Sequence, residues 1–226
     1  MRTLIFSLIA CAALVVGPTQ PGLAADKKES DMEAVGTFVE PAKVAEKDAI
    51  RVVKDPAIKK DDEPTFAKRA ATRFANGTIE VKVLSRLLKD APAHARGFIG
   101  VAFRINEDDS KFECIYVRPL NSRADDQVRR NHSIQYFSYP DFKFDRLRKE
   151  SPEKYESYTD MAMDEWIDLK IVVRGARAEL FINNAKQPSL IVNDLKHGPD
   201  ASGAIGLWVD IGTEGYFSDL KIRNDD

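Results

Sequence analysis

Cysteine is nearly absent. The 226-residue chain has two, Cys11 and Cys114. If Cys11 leaves with a leader, no internal disulfide is possible and the fold must hold by packing, which a domain of this size can do. Histidine is also scarce, with three residues and no His-x-His spacing, and there is no cysteine pair, so the usual transition-metal motifs are excluded. No charge of one sign dominates. Lys and Arg number 34 against 36 Asp and Glu, for a net charge of -2. A general attraction to nucleic acid or an anionic membrane is thereby excluded, and any charged site must be local. No repeats or low-complexity tracts are apparent. Past the first 25 residues no run is apolar enough to span a bilayer.

The opening segment reads as an export signal. Arg2 is followed by an apolar stretch from Leu4 to Val16, then Pro18, Pro21 and the small pair Ala24-Ala25 before Asp26. Leu8-Ile9-Ala10-Cys11 resembles the box preceding a lipid-modified cysteine, but the apolar stretch continues past it, which fits cleavage after residue 25 better. The mature chain is therefore expected in the periplasm or outside the cell. Residues 26–47 are charged and poor in large apolar side chains and read as a polar linker, leaving 48–226 as one domain.

Within that domain the dominant period is two. Ile79, Val81 and Val83 alternate with polar residues after an Asn76-Gly77 pair, which predicts a hairpin turn. Residues 97–105 give a strand with Ile99, Val101, Phe103 and Ile105 on one face. Phe98, Gly100, Ala102 and Arg104 lie on the other, where small residues leave room for something to approach. Residues 111–118, 133–139, 166–174, 176–183, 190–192, 204–209 and 215–222 complete the strands. The broken parity of Phe217, Leu220 and Ile222 predicts a bulge. One short helix is expected within 146–158, limited by Pro152. Many short strands with polar turns imply an all-β fold, two packed antiparallel sheets.

Three stretches resemble concanavalin A-like (lectin/glucanase) jelly rolls. They are Trp166–Gly175 followed by Ala178–Asn183, Gly203–Trp208 with Tyr216–Ile222, and Phe98–Arg104. The pattern is similar to bacterial 3-keto-disaccharide hydrolase-like domains and to laminin G-like domains, over roughly residues 50–222. The resemblance implies a jelly-roll sandwich and a carbohydrate ligand, and for the hydrolase-like relatives it implies cleavage of an oxidised glycoside. The Glu-x-Asp-x-(x)-Glu run of laminarinase-type hydrolases is missing, so a glucanase mechanism with two opposed carboxylates is not expected.

The stretch Tyr116–Arg148 carries few residues able to build core and many able to bind hydroxyls. Arg118, Asp126, Gln127, Arg130 and Gln135 are candidate substrate contacts, because guanidinium forks, carboxylates and amides bind sugar hydroxyls while aromatic faces cover the C–H side. Face parity adds Trp208 and Arg104 as partners on an open sheet face. His132 is the acid/base candidate by its ordinary pKa, and Glu113 is the second. Either Glu113 or Tyr116 should face the site, since they alternate. His94 and His197 read as solvent residues, and Cys114 reads as a buried thiol. Asp125-Asp126 with Asn121 could hold Ca²⁺ or another divalent metal, without the spacing of a calcium loop. Three functions remain open: an exported glycan-recognition domain, a 3-keto-glycoside hydrolase or lyase, and a structural or adhesion module with no small-molecule site.

Overall fold

A computed structural model describes residues 31–225. The leader read at residues 1–25 lies outside them. The described residues form two seven-stranded antiparallel sheets packed face to face, the expected jelly-roll sandwich. The first sheet runs β1 (Glu33–Val35), β4 (Phe66–Phe74), β13 (Gly203–Val209), β6 (Ile99–Ile105), β7 (Phe112–Val117), β8 (Ile134–Tyr139), β9 (Glu156–Ser157). The second runs β12 (Leu190–Val192), β11 (Arg177–Ile182), β10 (Ile167–Arg174), β5 (Gly77–Leu87), β14 (Thr213–Asn224), β3 (Lys47–Lys54), β2 (Thr37–Val44).

Alternation decides what lies between the sheets. Ile79, Val81 and Val83 of β5 and Ile167, Leu169 and Ile171 of β10 are buried, as are Ile99, Val101 and Phe103 of β6. A Cβ placed on Gly215 of β14 would meet Val209 and Ile99, which fixes the inward face of β13 and β6. Cys114 is a free, buried thiol whose pKa burial raises well above its usual value. The bulge expected in the last strand falls between Ser218 and Lys221, with Asp219 at φ 57°. A helix does form there, α3 (Phe144–Glu150), but it begins two residues before the expected stretch and ends before Pro152. Two further short helices, α1 (Pro119–Ser122) and α2 (Gln127–Asn131), occupy the polar stretch after β7.

Two expectations are corrected. Residues 33–44 of the presumed linker are strands β1 and β2. β2 pairs with β3 along its whole length through a two-residue turn, Ala45-Glu46, with φ of 48° and 61°. The sequence hid this because β2 is an edge strand containing Pro41, with exposed and half-buried residues between its two ends. Its turn also lacks the Asn-Gly signature. The second correction concerns Asn76-Gly77, which is not a hairpin turn. β4 and β5 belong to different sheets, and the pair carries the chain from one to the other. Both sides of β4 and both sides of β5 are already taken by other strands.

Candidate functional site

One register row crosses the outer face of the first sheet: Phe66, Trp208, Gly100, Tyr116, Gln135 and Glu156 lie side by side on six strands. This is the face that parity placed Trp208 on, but it is not open. Trp208 is fully buried, its ring centroid is 4.8 Å from Tyr116 and 5.4 Å from Phe137, and its indole N–H donates to the Glu63 carbonyl at 3.0 Å. Removing an indole of this size from water is worth about 5 kcal/mol on an area basis. The room left by the small residues is filled from within. A Cβ on Gly100 would strike the β7 backbone at Ile115 and Tyr116, and one on Gly206 would strike the Phe66 ring.

The cover over this face comes from residues 55–65 and the start of α3. Lys143 Nζ donates to the Asp61 carbonyl at 3.0 Å and to Glu63 at 2.5 Å, and the Phe144 N–H donates to Asp62 Oδ2 at 2.8 Å. Asp210, at the end of β13, anchors the loop: it accepts from the Asp62 N–H at 2.9 Å and pairs with Lys54 at 2.5 Å, both partners being buried. Between the cover, the row and α2 lies a cavity of about 530 Å³, lined by Asp62, Phe98, Tyr116, Arg118, Asn121, His132, Phe144 and Arg148 among others.

Arg118 is the centre of this site. It donates to the Tyr116 hydroxyl at 2.6 Å, to Gln135 Oε1 at 3.2 Å, to Glu156 at 3.3 Å and to the His132 carbonyl at 3.1 Å. Its guanidinium carbon lies 5.0, 5.6 and 6.0 Å from the rings of Tyr116, Phe144 and Phe98. Arg148 grips the same Glu156 with two donors. Burial pulls the Glu156 pKa up, but the hydrogen bond from Arg148 and the charges of Arg148 and Arg118 outweigh it and hold the carboxyl below its ordinary value.

The environments sort the titratable groups by role. Burial pushes the Tyr116 phenol well above its ordinary value, with Arg118 only partly opposing, so it stays protonated. His132, capping the C-terminus of α2, is lowered by burial and by the charges of Arg148 and Arg118 against the pull of Glu156, so it is neutral at pH 7. Asp62 is the exception: burial and the neighbouring charge of Asp210 raise it to about 7. A carboxyl half-protonated near neutrality can give or take a proton, and in a cavity it is a candidate for chemistry.

Of the residues proposed from sequence, the structure brings Arg118 and His132 to the cavity, with Gln135 and Trp208 beneath it. Arg104 and Glu113 are elsewhere. Arg104 has φ 55°, beside a register shift between β13 and β6, and its side chain is buried at the far end of β6. It donates there to the Ala75, Gly175 and Gly198 carbonyls and to Asn76. Six residues of strand, about 20 Å, separate it from Phe98. Glu113 points into the sandwich, accepting from the Tyr136 hydroxyl at 2.7 Å and the His197 N–H at 2.9 Å, and Tyr116 is the member of that pair that reaches the site. Asp126, Gln127 and Arg130 serve their own neighbourhood: Asp126 caps α2 through the Arg129 N–H, Gln127 bonds Asn131, and Arg130 bonds the Tyr158 hydroxyl. Among the described residues no three His, Cys, Asp or Glu side chains group as metal ligands. Of the residues considered for calcium, Asp126 accepts from the Arg129 N–H as the α2 cap, and the Asn121 amide nitrogen donates to the His132 carbonyl. Sequence reasoning missed Asp62, Arg96, Arg129, Phe144 and Arg148. They lie on loops and short helices whose convergence no local period announces.

No family model matches this chain, and no curated protein matches it. Solved structures match at the level of fold. A protein of unknown function with a galectin-like fold from Bacillus subtilis is 10% identical over 89% of this chain and 93% of that one, with a TM-score of 0.52. A carbohydrate-binding module from Bacillus subtilis is 12% identical over 83% of this chain and 94% of that one, at 0.49. The fourth domain of an extracellular arabinanase from Geobacillus stearothermophilus is 11% identical over 82% and 74%, at 0.45. The fold is that of the concanavalin A-like jelly rolls. At these identities the likeness concerns the fold alone, because this architecture carries many functions.

Proposed function

We propose that the chain is a carbohydrate-binding protein acting outside the cytoplasm, and that the sugar enters the Arg118 cavity. The carrying observation is the cavity's mixture: Phe98 and Phe144 with Asn121, Arg118, His132 and Asp62, in a volume of about 530 Å³. Ligand pockets of roughly 300–1,000 Å³ are typical, and a sugar needs aromatic faces for its C–H side and fixed polar groups for its hydroxyls. Asn121 stands on the cavity wall, its amide held by the His132 carbonyl. The export-signal pattern read from the sequence of residues 1–25 supports a place outside the cytoplasm.

One observation favours a second reading, cleavage of an oxidised glycoside. A 3-keto group acidifies the neighbouring C2 proton, and elimination of the aglycone then needs one base and one cation to stabilise the enolate. Asp62 near pKa 7 would take the proton and Arg118 would face the developing charge.

The test is an NMR time course of the purified chain with a panel of glycans and 3-keto-glycosides. Line broadening without products supports the binding reading. Enone or new anomeric signals that vanish in Asp62→Asn support cleavage. Silence with every sugar leaves the structural or adhesion module.

A further inference from the structure

We infer that the sugar is acidic, bearing a carboxylate or a sulfate ester, and that Arg96 and Arg129 receive its anionic group. This rests on the carbohydrate reading above and narrows it to a ligand class. Four arginines line the cavity, Arg96, Arg118, Arg129 and Arg148, facing Asp61, Asp62 and Asp210. Their neutralisation is uneven. Asp210 is paired with Lys54, while Arg118 and Arg148 share Glu156. Arg96 donates only to the backbone carbonyls of Ala93 and Ala95. Arg129 makes no side-chain hydrogen bond or ion pair among the described residues, and its Nε is buried with no partner.

Guanidinium donors are costly to leave unmade, and while the Arg129 Nε is enclosed, its terminal nitrogens on the cavity wall are neither enclosed nor bonded in the fold. The same two arginines sit close enough to oppose each other's charge. Burial, then Arg129 and Arg118, lower the Arg96 pKa, and no carboxylate among its causes offsets them. On the cavity wall Asp61 is the carboxylate without an ion-pair partner among the described residues, and Asp62, raised to about 7, carries only part of a charge near neutrality. The guanidinium fork matches a planar carboxylate or a sulfate oxygen pair better than it matches a hydroxyl. α2 is held by the Asp126 cap, so Arg129 projects from a fixed turn.

The test is calorimetric titration of the purified chain with trigalacturonic acid, its methyl ester, a sulfated disaccharide, a panel of neutral oligosaccharides, and acetate and sulfate alone. An acid or sulfated sugar is expected to bind at least roughly tenfold tighter than the ester at low ionic strength, an advantage that salt erodes. Arg129→Gln and Arg96→Gln should each shrink that advantage severalfold while the urea midpoint stays unchanged for Arg129→Gln, whose guanidinium bonds nothing in the fold. Comparison of the uronate and sulfate arms assigns the anion. Equal binding of acid and ester overturns the inference and leaves the carbohydrate reading standing. An undiminished advantage in both variants overturns the assignment to these arginines. Binding of acetate or sulfate with no sugar bound better sinks the carbohydrate reading and keeps the anion site. Failure of every arm removes both.

Discussion

Two buried arginines define the two ends of this molecule. At the crossover end, Arg104 gives its donors to three backbone carbonyls and one amide. At the covered face, Arg118 gives most of its donors to side chains, Tyr116, Gln135 and Glu156, and borders a cavity. Both are large, charged and nearly free of solvent contact. The difference lies in what surrounds them. Backbone carbonyls of three separate turns leave Arg104 no freedom and no access, so it is a clamp. Side-chain partners, aromatic faces and a cavity leave Arg118 a surface to present. Burial of a cation does not by itself distinguish structure from function; the identity of its acceptors does.

Substitutions can break that comparison. The largest effect is expected from Arg104→Met, which strands the Ala75, Gly175 and Gly198 carbonyls at the join between the sheets. At 1–3 kcal/mol for each buried acceptor the loss is about 5 kcal/mol, read from urea denaturation. The folded fraction should keep its ligand affinity, and a well-folded variant that lost affinity would undo the contrast. Lys54→Met leaves the Asp210 carboxylate buried without its cation and should cost about 4 kcal/mol. Lys54→Met with Asp210→Asn should recover part of that loss, a non-additivity measurable by the same denaturation.

Asp62 sharpens the covered end. Its pKa is about 7 in the fold against 3.8 for the ordinary carboxyl. The folded state therefore holds a proton that the unfolded chain has released, and stability falls as pH rises between those values, by up to about 4 kcal/mol. Asp62→Asn should melt higher than the parent at pH 8, match it near pH 4, and flatten the decline. The smallest effect is expected from Asp126→Ala, which removes the α2 cap. It should cost about 1 kcal/mol and speed hydrogen exchange locally in 127–131.

Much of the architecture was legible because a strand with one buried face repeats every two residues. β5, β6, β10 and β13 announced themselves that way, and the parity of β13 put Trp208 on the outer side. Parity failed at Arg104, where positive φ and a shifted register turn the side chain to a different place from Gly100 and Ala102. It also could not separate Tyr116 from Glu113, since a period of two names two faces and not which one is covered.

The sequence by itself determined the sandwich, the free thiol, the bulge in the last strand and the polar character of the stretch after β7. Each follows from local chain chemistry: alternation, lone cysteine, broken parity, few apolar residues. Tertiary structure alone decided that Asn76-Gly77 would cross between sheets, that residues 55–65 would roof the outer face, and that Asp62, Arg118 and Arg129 would meet around one cavity. Those outcomes depend on contacts between segments tens of residues apart, and on hydrogen bonds that satisfy buried groups only once both segments are in place.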